Sequence, residues 1–225
     1  MFEPAPALGM TNKSTNEEIK ATAFEFLLDI GYVVLSTTAL DGKNATSRGI
    51  ELHKLDDSGL LYLGISKGKP IYDELKAYPY LVGTIVKDTV KRLSVAVRIS
   101  SSVEEVDDEI LMAKYWELNP GTKSLYRKDL DNFKLFRLSK GEGEIFHVCE
   151  DDKVARVRFT FGGGSIRPFR YHITDECTSC GICAEACLTS VISPGDDKYQ
   201  IDHYGCLECG KCYEVCPFNA ISKEV

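Results

Sequence analysis

The sequence predicts an α+β protein in two parts: a small antiparallel barrel or sandwich with inserted helices over residues 1–164, and a small cysteine-rich domain over 165–225. Three observations carry this. Between Tyr32 and Phe161 the chain is a succession of short stretches rich in Val, Ile, Phe and Tyr, cut by polar turns, with helical spacing only in inserts. Gly162-Gly163-Gly164 then breaks the pattern. Beyond the break, Cys177-Thr-Ser-Cys180-Gly-Ile-Cys183-Ala-Glu-Ala-Cys187 returns 29 residues later as Cys206-Leu-Glu-Cys209-Gly-Lys-Cys212-Tyr-Glu-Val-Cys216.

The elements follow in order. Residues 1–13 carry Pro4, Pro6 and Gly9 without periodicity and read as a loose or strap-like start. Ser14 with Glu17, or Thr15 with Glu18, fits a capping box. Ile19, Ala23, Phe26, Leu27 and Ile30 then recur at helical spacing until Gly31. Tyr32 to Thr38 reads as a strand, Asp41-Gly42 as a hairpin turn, and Ala45 to Leu55 as the returning strand. After the turn Asp56–Gly59, Leu60 to Ile65 forms a third strand. Pro70 suits the first turn of a helix that runs to about Ala77 and stops before Pro79. Two more strands, Leu81 to Val86 and Leu93 to Val106, flank a polar turn at Lys87-Asp88-Thr89. Asp107 or Asp108 caps a helix through Tyr115 and Trp116 toward Asn119-Pro120. Strands near Phe133 to Leu138, Gly143 to Val148 and Val154 to Phe161 complete the first domain.

Bulk properties exclude several classes. At 225 residues the chain exceeds one typical domain. Its net charge of -7 argues against nucleic acid as a partner, because phosphate binding needs a basic surface. No stretch has the length and apolarity of a membrane span, and the start lacks the charged and apolar regions of an export signal, so a cytoplasmic location is expected. In that setting nine cysteines point to metal ligation by reduced thiolates and away from disulfides.

Eight of the nine cysteines fall into the two repeats, whose spacing is a ligand set for two [4Fe-4S] clusters. Sliding 177–193 onto 206–222 matches eight of 17 positions, among them Gly181 with Gly210, which leave room for a loop hugging an inorganic core. The expected sets are crossed: Cys177, Cys180 and Cys183 with Cys216, and Cys206, Cys209 and Cys212 with Cys187. Zinc is the competing ligand, but structural zinc usually joins two separated pairs and not compressed triplets with a crossed fourth ligand. About residues 168–225 closely resemble the bacterial two-cluster ferredoxins, departing at Leu188, where that family commonly has proline; Pro217 keeps it in the second copy. Residues 165–225 hold nine acidic against five basic side chains, consistent with docking to a basic redox partner or with solubility alone.

In the first domain, Arg48 in mid-strand and the run Gly64-Ile65-Ser66-Lys67-Gly68-Lys69-Pro70 before a helix supply groups suited to an anion, or else a solvated basic turn. The order of helix, Asp41-Gly42 hairpin, Ser47-Arg48-x-Ile50 strand, Ser66-Lys67-x-Lys69 turn and helix over residues 20–150 resembles the pyridoxamine 5'-phosphate oxidase-like family of FMN-binding split barrels. The resemblance implies FMN held between two subunits of a homodimer by Arg48, Ser66, Lys67 and Lys69, with the backbone of Ile50, Gly64 and Ile65 near the ring. It places His53 where some members have lysine, the alternative being a surface histidine at a strand end. The glutamine common on a later strand and the residues that recognise pyridoxal phosphate have no match here.

Together the two resemblances imply an iron-sulfur flavoprotein reductase of anaerobic metabolism, passing electrons between the clusters and FMN to reduce a small acceptor, with a ferredoxin or a reductase as external partner. The rivals are a non-enzymatic electron carrier or redox sensor, and the same barrel with deazaflavin or haem. Cys149 reads as a small buried hydrophobe, Tyr115, Trp116 and Tyr126 as core or as stacking partners of a flavin, and Glu104-Glu105 as a solvated strand end. Arg156, Arg158, Arg167 and Arg170 flank the triple glycine, either between the domains or in water.

Overall fold

The computed structural model describes residues 6–89, 93–148 and 153–224. Helix α1 (Asn16–Ile30) starts at Thr15, whose side chain accepts from the Glu18 amide while Glu18 reaches back to the Thr15 backbone. Of the two possible capping boxes, the second forms. The helix buries Ile19, Ala23, Phe24 and Leu27 against the sheet, and Phe24 meets Phe159 and Phe161 edge-on. Of the segment before it, residues 1–5 lie outside the described residues, and the rest is strap-like: Ala7 is fully buried, and Met10 accepts a hydrogen bond from Tyr204 Oη at 2.9 Å.

Among the described residues seven strands make one antiparallel sheet. They are β1 (Tyr32–Thr38), β2 (Ala45–Glu51), β3 (Tyr62–Ser66), β4 (Tyr80–Thr89), β5 (Leu93–Val106), β6 (Phe133–Val148) and β7 (Val154–Phe161), in the order β2-β1-β4-β5-β6-β3 with β7 also on β6. Helix α2 (Pro70–Ala77) follows β3, and α3 (Glu109–Leu118), capped by the Asp108 carboxylate, and α4 (Pro120–Leu125) fill the crossing from β5 to β6. Fold class and fold type are those expected: α+β, with a large antiparallel sheet curved around Val33, Leu35, Leu63, Leu81, Val97 and Phe159.

Three expectations differ in detail. Strand β4 continues through Lys87–Thr89, read as a turn, and pairs with β5 as far as Thr89↔Leu93. Strand β2 ends at Glu51, and His53 keeps only an isolated bridge to Tyr62. The two strands expected at 133–138 and 143–148 are one, β6. Its first half pairs with β3 and its second with β7, while β5 accompanies both through a register shift at Ser102/Val103. Gly141 allows the strand to run on at this exchange of partners, because a Cβ there would lie 2.2 Å from the Ser100 carbonyl oxygen.

The C-terminal part is two small hairpin-like sheets and two single-turn helices. Strand β8 (Tyr171–Ile173) pairs with β11 (Ile221–Lys223), and β9 (Ile192–Pro194) with β10 (Tyr199–Ile201). Helices α5 (Ile182–Glu185) and α6 (Lys211–Val215) follow Gly181 and Gly210, both at φ +81. The duplication extends to the backbone. Ser179 and Glu208 share a left-handed φ of 55, and Ser190 and Asn219 repeat it at 54 and 52, each pair 29 residues apart. Tyr204 joins the core of the first part and its carbonyl accepts from the Arg156 amide at 2.7 Å. Cys149 lies outside the described residues.

Candidate electron-transfer site

Two cavities in the C-terminal part are lined by cysteines. One is formed by Cys177, Cys180, Cys183 and Cys216 with Ile173 and Pro217, the other by Cys187, Cys206, Cys209 and Cys212 with Tyr171 and Leu207. Each therefore draws three cysteines from one repeat and one from the other. The left-handed turns at Ser179 and Glu208 aim their amides at Cys177 Sγ (3.4 Å) and Cys206 Sγ (3.3 Å), and Ala220 donates to Cys216 Sγ at 3.3 Å. At Cys206 the Glu208 N–H favours thiolate over thiol. Burial works the other way and pushes the Cys212 thiol up to about 11, with Cys183 and Cys206 also raised, so metal loading displaces protons from these sulfurs. Among the described residues no three His, Cys, Asp or Glu converge on a single ion. Four cysteines around a shared cavity with sulfur-directed amides suit a [4Fe-4S] cube better than one zinc ion.

The residues proposed for a flavin are only partly brought together. Ile50, Gly64, Ile65 and Lys69 line one cleft of about 220 Å³, with Tyr115, Tyr126 and Phe133 as aromatic walls. Gly64 has no alternative there, since a Cβ would meet Phe133 at 2.3 Å and Tyr115 at 2.4 Å. Ser66 faces inward instead, 5% exposed, and accepts from Asn132 Nδ2 at 3.2 Å. Lys67 is exposed and its amide bonds the Asn132 carbonyl, ordering the turn before α2. His53 is half-buried: its ring meets Tyr115 edge-on at 5.1 Å, and burial holds it below the ordinary imidazole range. Tyr115 and Trp116 are core residues, and Tyr115 borders the cleft as well.

Arg48 lies elsewhere. Its guanidinium donates to Thr37 Oγ1 (2.6 Å) and Thr46 Oγ1 and sits 3.0 Å from Glu74, a carboxylate on α2 whose side chain is 4% exposed. Burial opposes ionisation of Glu74, but donors from Thr37, Thr46 and Arg48 together outweigh it and hold the carboxyl below its usual range. The cleft suits one face of an isoalloxazine ring, with a cation, Lys69, at its edge. Its volume is below the roughly 300–1,000 Å³ of ligand pockets, so a single chain supplies part of such a site.

Sequence reasoning missed two features. The first is Glu74. The second is the seam between the two parts, where Glu144 on β6 is paired with Arg98 (3.2 Å), Arg156 (2.9 Å) and Arg158 (3.1 Å). The same two β7 arginines reach Glu208, inside the second cysteine loop, at 2.7 and 3.2 Å. Arg158 also lies over Phe169 at 4.2 Å, and Phe169 stacks on His203 at 4.0 Å. The side chains of Arg156 and Arg158 are thus buried between the parts, whereas Arg167, exposed, binds Glu142 and the exposed Arg170 bonds Glu208 through its backbone amide. A cavity of about 210 Å³, lined by Arg98, Arg158, Glu142 and Glu144, opens beside this seam on the outer face of the sheet.

A curved antiparallel sheet carrying a module with two cysteine-lined centres defines an iron-sulfur electron-transfer protein. Residues 176–221 match the family model of 4Fe-4S dicluster domains. The ferredoxin of Chlorobaculum thiosulfatiphilum is 45% identical over 56 residues, which are 22% of this chain and 92% of that protein. Through its C-terminal part the chain belongs to the 4Fe-4S dicluster ferredoxin family. The split-barrel part is similar to a NimC/NimA family protein of Clostridium acetobutylicum, with 22% identity and a TM-score of 0.52 over 65% of this chain and 94% of that one. A fainter likeness, TM-score 0.41 and 18% identity over 53% of this chain and 91% of that one, is to a Listeria innocua protein named for pyridoxamine 5'-phosphate oxidase. Among the described residues no helix is long and apolar enough to cross a membrane.

Proposed function

We propose that the chain is an FMN-dependent, ferredoxin-linked reductase that passes electrons between two [4Fe-4S] clusters and a flavin to reduce a small acceptor. The observation that carries this reading is the grip of the two β7 arginines on Glu208, which ties a cysteine loop to the sheet that also carries the aromatic cleft. When bound, the clusters exchange single electrons and FMN converts between one- and two-electron transfers.

The chain's own residues have distinct duties. Cys177, Cys180, Cys183 and Cys216 would hold one cluster as thiolates, and Cys206, Cys209, Cys212 and Cys187 the other. Lys69, Ile50, Gly64 and Ile65 would hold FMN, Lys69 supplying a positive charge for its phosphate, and Tyr115 and Tyr126 would keep water from one side. A second copy of the chain closes the other side. Tyr32, Val34, Tyr80, Val82 and Val86, each 44–64% exposed, form an apolar face on β1 and β4 that supports a homodimer. The external donor is a ferredoxin or a reductase.

One observation favours a carrier or sensor instead: Arg48 is engaged by Glu74 and offers a phosphate little. Anaerobic purification separates the readings. The reductase reading expects about eight irons and one FMN per chain and turnover of small acceptors with reduced ferredoxin. Iron without flavin, and no FMN uptake on addition, overturns it.

A further inference from the structure

The two cysteine loops have unlike electrostatic surroundings. Ser179 in the first loop stands where Glu208 stands in the second, 29 residues on. The Glu208 carboxylate accepts from Arg156 Nη1 at 2.7 Å, Arg158 Nη2 at 3.2 Å and the Arg170 amide at 3.1 Å. Both arginine side chains are nearly buried, 6% and 4% exposed, and bridge Glu208 to Glu144 on the sheet. With Arg98 on Glu144, three guanidinium groups face two carboxylates, one positive charge in excess. Arg156 Nε is also buried and has no acceptor among the described residues, leaving a donor unspent beside the second loop. At the first loop Ser179 Oγ donates to the Asp197 carbonyl, and Lys198 pairs with Asp175 in the open, their side chains 34% and 98% exposed. Asp175, Glu176, Asp196 and Asp197 give that side an acidic character.

Positive charge and sulfur-directed donors stabilise the more negative, reduced form of a cluster and raise its potential, and they act most strongly where water is excluded. We propose that Arg156, with Arg158, is a positioning and tuning residue: it makes the centre of Cys206, Cys209, Cys212 and Cys187 the inner relay facing the sheet. That centre is held at a higher potential than the outer centre of Cys177, Cys180, Cys183 and Cys216. One electron supplied by an external one-electron reductant at the outer centre then passes downhill to the inner one, oxidising the first and reducing the second with no bond or proton exchanged. The inference rests on the ligand sets proposed above and not on the flavin.

The test is a redox titration of the anaerobically purified full chain with dithionite, followed by electron paramagnetic resonance, for wild type, Arg156→Gln, Arg156→Lys and Glu208→Gln. Wild type is expected to show two midpoints. Arg156→Gln shifts one of them down, Glu208→Gln shifts the same one up, Arg156→Lys leaves it near wild type, and the other midpoint stays. Cys209→Ser removes or alters the signal that moved, and Cys180→Ser the other. A loss of packing alone cannot move one midpoint in opposite directions in two variants. Should Arg156→Gln fail to fold, Glu208→Gln and the half-exposed Arg98→Gln decide, the latter with a smaller downward shift. Coincident midpoints, shifts of both or neither, or movement confined to the centre that Cys180→Ser removes overturn the proposal. A wild-type chain without two clusters overturns the ligand sets beneath it.

Discussion

The Arg48 guanidinium lies 3.0 Å from the Glu74 carboxylate, across the gap between β2 and α2. An arginine that the sequence offers to a phosphate is thus an internal cation whose partner is almost wholly buried. Thr37 and Thr46 bond both members, so four side chains form one polar knot inside the sheet's edge.

That knot makes stability depend on pH. The Glu74 carboxyl is held below its usual range, so its contribution is complete above the unfolded carboxyl's pKa of about 4.3 and is lost as pH falls through the lower folded value. Urea unfolding of wild type is expected to weaken on acidification below about pH 4. Glu74→Gln lowers stability at neutral pH by about 2 kcal/mol, less than a fully buried pair because Arg48 is partly exposed, and flattens this acid limb. An unchanged acid limb in the variant contradicts the assignment.

The apolar face of β1 and β4 predicts self-association. Val82→Glu, placed at a position 44% exposed, puts a charge where a second copy packs and is expected to convert a dimer to a monomer in light scattering without lowering the thermal midpoint of the chain itself. A wild-type monomer at micromolar concentration contradicts the dimer.

Ligand sets are testable by counting. Cys180→Ser and Cys209→Ser each are expected to lower iron from about eight toward about four per chain, whereas replacement of both removes nearly all. Zinc content that tracks the cysteines in place of iron contradicts the cluster reading.

Among the described residues Lys69 is the one cation lining the cleft. Lys69→Ala is expected to weaken FMN binding about ten- to a hundredfold, the loss of a charge-assisted hydrogen bond, with iron content unchanged. The same change at Lys67, which does not line the cleft, is expected to have a smaller effect.

What the sequence made legible was local. The Thr15–Glu18 box, the strand Tyr32–Thr38 and the ferredoxin-like repeat each depend on neighbours within a few residues, and each is present as expected. What it hid was set by distance. Glu74 finds Arg48 across 26 positions of chain, and Glu208 finds Arg156 across 52, with no spacing rule to signal either pair. The continuation of β6 through residues 139–142 was not read from the sequence, and Gly141 there serves a close approach to Ser100. The four arginines around the triple glycine were visible as charges, and only folding shows that carboxylates from both parts claim three of their side chains.

The central claim is electron passage between the clusters and a flavin within one assembly. Flash photoreduction of the anaerobic, FMN-loaded protein, followed at cluster and flavin wavelengths, tests it most directly. The account predicts that cluster bleaching recovers as flavin is reduced, at a rate independent of protein concentration. A flavin that stays oxidised while the clusters are reduced, or a rate that rises in proportion to concentration, contradicts it.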